Sequence, residues 1–327
     1  METRRPLIAQ IKRNSLDDGP GIRSVVFFNG CPLSCVWCHN PECREPGPRL
    51  SWNADRCIGC GRCGEVCPEG AIRQGPAVHR VDTARCSVCG SCSAECPTGA
   101  LEVIGTYYSV EELGGILRRD KVFYDHSGGG VTLSGGEPTL YLDYVSGLCR
   151  RLASEGIDIL LETCGLFDWG RIAEKLLPAL SHVFVDLKFV DASSHKRFTG
   201  RDNAIILANI EQLVAMERPE TLVRVPLIPG VVAAPENLKA IALWLRERKV
   251  TRVGLLPYNP LWISKARGLG MTVRYDRQTW MTEQELEDAR RVFSDFEIVG
   301  PLAGKGTVAK QGRGLQSGPG LGTGGSA

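Results

Sequence analysis

Fourteen cysteines stand in 327 residues, and eleven of them fall into three tight clusters. The first cluster lies in GCPLSCVWCHNPE, where Cys31, Cys35 and Cys38 are spaced C-x-x-x-C-x-x-C. Three thiolates on one short loop suit an iron–sulfur cluster or zinc, because soft sulfur ligands favour those metals. A complete 4Fe–4S set takes four thiolates. Three would leave one iron open to another ligand, as a catalytic zinc keeps a free position. The competing reading is a zinc site completed by His39 or Cys43. His39 adjoins Cys38, so joint ligation would strain the loop, whereas Cys43 is better placed.

Eight more cysteines form an internal repeat. Residues 57–72 read CIGCGRCGEVCPEGAI and residues 86–101 read CSVCGSCSAECPTGAL, with every cysteine and the following proline in register. Each run has the spacing of a bacterial ferredoxin, in which the fourth cysteine of one run ligates the cluster of the other. That crossing assigns Cys57, Cys60, Cys63 and Cys96 to one 4Fe–4S cluster and Cys86, Cys89, Cys92 and Cys67 to a second. Such clusters could relay electrons or act as a structural staple, since spacing speaks of ligation and not of current. Cys149 falls on an apolar helical face and reads as core. Cys43 and Cys164 are left without a role.

The cysteine loop resembles the signature of radical S-adenosylmethionine enzymes. The longer run DGPGIRSVVFFNGCPLSCVWCHNPE, from Asp18 to Glu42, resembles the activating enzymes of glycyl radical enzymes, such as pyruvate formate-lyase activase. The resemblance implies that Cys31, Cys35 and Cys38 hold a catalytic 4Fe–4S cluster whose open iron binds S-adenosylmethionine. It further implies an anaerobic oxidoreductase that makes a 5′-deoxyadenosyl radical and takes hydrogen from a backbone glycine of a partner protein. In SGGEP, Gly135, Gly136 and Glu137 match the segment that holds the cofactor's amino group. Glu162 opens ETCG, where the family has Asp-Thr-x-Gly, and Asp186-Leu187-Lys188 matches its DLK. By resemblance, Glu162, Asp186 and Lys188 hold the cofactor's carboxylate, together with a monovalent cation. In LLPYNPLW, Asn259 stands where the family has histidine near the nucleoside, and an amide can hydrogen-bond a ribose hydroxyl. A flavodoxin or ferredoxin is the implied electron donor.

These residues need a scaffold. Short apolar segments at Arg23–Asn29, Val131–Ser134, Ile157–Glu162, Val183–Lys188, Leu222–Leu227 and Arg252–Leu256 read as strands buried on both faces. Helical patterns fall between them. Val145, Leu148, Cys149 and Leu152 share one face, as do Leu238, Ile241, Ala242 and Leu245 after Pro235. Ser109 and Glu112 form a capping-box signature. Six strands alternating with helices predict an α/β fold of parallel βα units. Periodicity alone allows an open doubly wound sheet or a partly closed barrel. The resemblance implies the second, a partial (β/α)6 TIM-like barrel with a ferredoxin-like insert. In either case the site is expected at the C-terminal strand ends. The predicted division is a barrel start at residues 1–50, the insert at 51–104, the rest of the barrel at 105–300 and a disordered glycine-rich tail at 301–327.

Composition removes several classes. Charged residues make up 23% and the formal net charge is +2, unlike the basic footprint of a nucleic-acid binder. No apolar run approaches a membrane span of ~18 residues. The start, METRRPLIAQIKR, lacks the apolar stretch of a secretory signal. Clustered cysteines without such a signal suggest a reducing cytoplasm. Two competing functions are a radical maturase acting on another peptide or small molecule and a ferredoxin-like electron carrier. Known maturases with extra clusters often place them after the barrel. The carrier reading leaves Cys31, Cys35, Cys38 and the long chain after Ile104 without a task.

Overall fold

The computed structural model describes residues 5–73, 80–300 and Leu302. Eleven strands are present among them: β1 (Leu7–Ser15), β2 (Arg23–Phe28), β3 (Arg49–Trp52), β4 (Leu101–Ile104), β5 (Thr106–Tyr107), β6 (Gly130–Gly135), β7 (Asp158–Thr163), β8 (His182–Asp186), β9 (Glu220–Leu227), β10 (Arg252–Pro257) and β11 (Glu297–Val299). Nine form one sheet in the order β11-β10-β9-β8-β7-β6-β2-β1-β5. Strands β2 and β6 to β11 run parallel, while β1 is antiparallel to both β2 and β5. The order advances in one direction without the reversal a doubly wound sheet requires. Right-handed crossovers that all step the same way place their helices on one face.

The six expected strands recur within a residue or two as β2 and β6 to β10. A seventh parallel strand, β11, joins the edge with only three residues, too few for periodicity to register. Toward the other edge, β1 lies between β2 and the two-residue β5, carries exposed Lys12 and Arg13, and lacks a continuous apolar run.

The strands differ from the expected pattern in one respect. They are largely buried on both faces, but the face away from the helices mixes apolar residues such as Leu160 and Leu222 with polar ones. Leu133, Leu161, Val183, Val185, Val223, Val225, Val253 and Leu255 join the main core with Leu148 and Leu152 of helix Leu142–Ser154, Ile210 of helix Ala204–Val214, and Ile241 of helix Pro235–Glu247. The alternate residues face the other way and include Thr132, Ser134, Glu162, Asp186 and Arg224. Lateral register keeps them on one face, because Asp186 lies beside Arg224 and Arg224 beside Gly254. The helix starts follow local chemistry. Ser109 accepts from Glu112 N at 3.1 Å and its own N–H donates to the Glu112 carboxylate at 2.7 Å. Pro235 sits in the first turn of its helix.

The cysteine-rich segment has its own two-stranded sheet, β3 with β4. Its separate apolar cluster is Leu50, Trp52, Val81, Cys92, Ala100 and Leu101. Helices Arg62–Glu65 and Ser91–Ala94 occupy equivalent places in the repeat, each after a left-handed glycine, Gly61 and Gly90. The expected disordered tail lies outside the described residues except for Leu302, which is buried in the main core.

Candidate functional site

The cysteine loop leaves the C-terminal end of β2 and is held along its whole length. At its base, Gly30 N donates to Cys43 O at 2.8 Å and Cys31 N to Arg44 O at 3.0 Å. In its middle, Ser34 N reaches Thr199 O at 2.8 Å and Val36 N reaches Phe198 O at 3.1 Å. Trp37 is buried against Phe189 and Phe198, with ring centroids 6.3 and 6.4 Å away. At its exit, Lys265 donates to the Glu42 carboxylate at 2.9 Å and to His39 O at 3.3 Å.

The SGGEP turn locks onto the same base. Gly136 N donates to Phe28 O and Glu137 N to Gly30 O, both at 2.7 Å. This approach requires glycine. Gly135 has φ +106°, and a Cβ on Gly136 would lie 2.1 Å from Gly30 O. Glu137 is fully buried. Its carboxylate accepts from Thr139 Oγ1 at 2.7 Å, Thr163 Oγ1 at 2.9 Å and Cys164 N at 2.8 Å. Its acceptor capacity is therefore spent on tying the turn after β6 to the end of β7. The structure gives this side chain a positioning task.

Beside that tie lies an ion network. Arg224 pairs with the Glu162 carboxylate through Nη1 and with Asp186 Oδ1 through Nε at 3.1 Å and Nη2 at 3.0 Å. Ser134 Oγ donates to the second Glu162 oxygen at 2.5 Å. Lys188, buried, donates to Asp186 Oδ2 at 3.2 Å. Burial alone would lower the Lys188 pKa, but the Asp186 carboxylate outweighs it and keeps the ammonium protonated. Burial also works against the Asp186 charge, yet Lys188 and Arg224 overcome it and lower that pKa.

Lys188 thus looks onto the cysteine loop. Burial pushes the Cys35 thiol up to about 11 and Cys38 up to about 12. Cys31 is lowered, chiefly because the Cys164 thiol donates a hydrogen bond to it. A metal bound here must displace protons that burial retains at two of three positions. Among the described residues no three His, Cys, Asp or Glu side chains close on a single-ion position. A 4Fe–4S cluster, whose irons take one thiolate each, does not require that convergence. At the end of β10, Asn259 Oδ1 accepts from Leu261 N at 2.9 Å and closes a turn.

The eight repeat cysteines gather into two hollows. Cys57, Cys60, Cys63 and Cys96 line one, and Cys67, Cys86, Cys89 and Cys92 line the other. The fourth cysteine of each run has crossed to the opposite hollow. Equivalent backbone donors mark the two halves: Ala71 N points at Cys67 Sγ and Ala100 N at Cys96 Sγ, each at 3.2 Å.

With this geometry in hand, two family profiles match the chain. The Radical SAM superfamily covers residues 83–241, and the 4Fe-4S binding domain covers residues 50–73. Among curated relatives, trans-4-hydroxy-L-proline dehydratase activating enzyme of Clostridioides difficile is 38% identical over 291 residues, spanning 88% of this chain and 96% of the relative. Benzylsuccinate synthase activating enzyme of Thauera aromatica is 39% identical over 255 residues, with 76% and 77% covered. Isethionate sulfite-lyase activating enzyme of Nitratidesulfovibrio vulgaris is 39% identical over 284 residues, with 85% and 90% covered. The chain belongs to the family of glycyl radical enzyme activating enzymes. It is a radical SAM enzyme that binds iron–sulfur cluster and S-adenosylmethionine cofactors. These relatives' names carry three unlike substrates and one shared role.

For this activating enzyme, sequence reasoning missed three residues that the structure brings to the site. Arg224 sits within VRVPL, where an inward arginine looks like any exposed strand charge. Its parity with Asp186 across β8 and β9 was the available signal. Cys164 had no assigned role and abuts Cys31. Lys265 lies on helix Trp262–Gly268, remote in sequence from the loop it clamps. Cys43 is fully buried, and its carbonyl accepts from Gly30 N at the base of the loop. Cys149 is core, as expected.

Proposed function

We propose that the chain activates a partner glycyl radical enzyme by removing hydrogen from one backbone glycine, using a cluster at Cys31, Cys35 and Cys38. The supporting observation is the closure of the cysteine loop, the SGGEP turn and the Glu162–Asp186–Lys188 network on one mouth at the strand C-termini. Bound there, a 4Fe–4S cluster supplies an electron and S-adenosylmethionine supplies the radical. The protein's part is placement. Backbone of Gly135 and Gly136 lines the amino-group end of the cofactor, while Lys188 faces its carboxylate. Asn259 holds the turn on the nucleoside side. The strand order supports a partial (β/α)6 TIM-like barrel formed by β2 and β6 to β10, whose polar face lines the mouth. A fully closed barrel would fill that interior with side chains. The open form leaves room for a partner's loop.

Residues 51–104 act in this reading as a ferredoxin-like insert with two further 4Fe–4S clusters, one in each hollow. Cys60 and Cys89 are exposed, which suits electron entry from a flavodoxin or ferredoxin. Among the described residues no helix is long and apolar enough to cross a membrane. A cytoplasmic site of action fits the unpaired cysteines.

The test joins cofactor cleavage to radical transfer. Reconstituted, dithionite-reduced protein should release 5′-deoxyadenosine and methionine, and should raise a glycyl radical signal on a co-incubated partner by electron paramagnetic resonance. Cys31, Cys35 and Cys38 changed together to alanine should keep two clusters and lose cleavage. Cleavage retained in that variant would sink the site assignment. Cleavage without a radical on any glycyl partner would sink the activase reading.

A further inference from the structure

A monovalent cation beside Glu162 and Asp186 is what resemblance to the family suggests. The residues in place do not fit one. Every carboxylate oxygen of the pair already carries a protein donor. Arg224 and Ser134 take the two oxygens of Glu162, and Arg224 and Lys188 take the two of Asp186. Thr163 Oγ1, the neighbouring oxygen on β7, is turned to Glu137. A metal cation between the carboxylates would sit against the guanidinium, and two like charges at such short range repel strongly in a site this dry. Arg224 and Glu162 have only 13% and 11% of their side chains exposed, so water screens the pair little.

Arg224 is also built into position. Its guanidinium lies 5.4 Å from the centre of the Phe184 ring. Its stem passes Gly254 on β10, where a Cβ would stand 3.0 Å from Arg224 Cγ. Both carboxylate partners raise its pKa against the opposing effect of burial, so its charge is permanent.

We propose that Arg224 is the built-in cation of this site, a positioning residue that replaces a bound monovalent ion and makes cofactor binding independent of potassium or sodium. Its planar fork spans two carboxylates from adjacent strands, which a spherical ion would do only with further oxygen ligands. It sets the Asp186 carboxylate, which in turn aims Lys188 at the mouth. The inference rests on the proposed reading that S-adenosylmethionine binds there.

The experiment is a titration of reconstituted protein with S-adenosylmethionine, in ~200 mM potassium chloride or choline chloride at equal ionic strength. The dissociation constant of the parent protein should differ by less than about twofold between the salts. Arg224→Gln should bind at least about tenfold more weakly in choline, with potassium restoring most of the loss. Arg224→Lys should stay insensitive to potassium. Potassium tightening of the parent by about fivefold or more would overturn the proposal. So would parent-like binding by Arg224→Gln in choline. If circular dichroism shows Arg224→Gln unfolded, the parent and Arg224→Lys arms still decide. No binding by the parent in either salt defeats the proposed function instead, so the two failures are distinct.

Discussion

The sheet body and the cysteine-rich segment Arg49–Ile104 bury apolar surface on very different scales. The body packs seven parallel strands against helices through a continuous core that runs from Ile8 to Leu302. Among the described residues, the segment's apolar cluster holds six buried residues, one of them a cysteine, around two four-residue strands. Its helices are four residues long and cap themselves with left-handed glycines rather than side chains. Apolar burial can hold the first region. A region this small ordinarily needs a metal or a disulfide to pay its conformational entropy. Its cysteines are unpaired and line two hollows, so under the proposed function the stabilising groups are two clusters. In that reading one chain contains a core-stabilised scaffold and a metal-stabilised segment.

The largest expected effect comes from removing iron. Chelation should raise protease cleavage between Asn53 and Ala100 by ~10-fold or more, because ligand binding is folding energy there. The body should retain its resistance, read by mass spectrometry of the fragments. Equal loss in both regions would break the contrast.

Next in size are core truncations. Leu161 is fully buried in the body, and Leu161→Ala should lower stability to denaturant by about 2–5 kcal/mol. Leu101→Ala, in the small cluster of the segment, should leave the body's unfolding midpoint in place and loosen only cluster retention. A midpoint that moves with Leu101→Ala would make the two regions one cooperative unit.

The smallest effect is a pH response confined to the body. Arg277 holds the Glu285 carboxyl at about 2 through contacts of 2.6 and 2.7 Å. The folded pKa is depressed from an ordinary value of about 4.3. Its contribution is therefore complete above that value and fades as pH falls toward about 2. The pair is partly exposed, so Glu285→Gln should cost under ~1 kcal/mol at pH 6 and only a small part of that near pH 2. Thermal melting of the iron-free protein at both pH values checks it.

The cysteine spacings made the chemistry legible before any fold was known, because C-x-x-x-C-x-x-C and the paired ferredoxin runs carry their ligand sets within a few residues. The strands were legible for a similar reason: helix-facing positions such as Leu133, Leu161 and Val183 repeat locally. Less was legible where meaning depended on distance. The DGPGIR run belongs to the stretch that resembles the activating enzymes, yet it sits at the opposite end of β2 from the cysteine loop. There Arg23 is buried and donates to Thr132 Oγ1 at 2.8 Å and to Asp158 at 2.9 Å. Gly21 is forced by close approach, since a Cβ there would lie 2.4 Å from Gly129 N. That run closes the bottom of the sheet.

By itself the sequence determined which cysteines suit iron by type and spacing, how the eight repeat cysteines divide, and where parallel strands form. Those properties are set by ligand type and local periodicity. The tertiary structure alone decided that Glu137 ties two strand ends together, that Cys164 touches Cys31, and that Lys265 clamps the loop exit. It also decided that Arg224 stands between Glu162 and Asp186. These contacts join residues tens to hundreds of positions apart, and the register of a sheet, not the spacing of a motif, brings such charges within hydrogen-bonding reach.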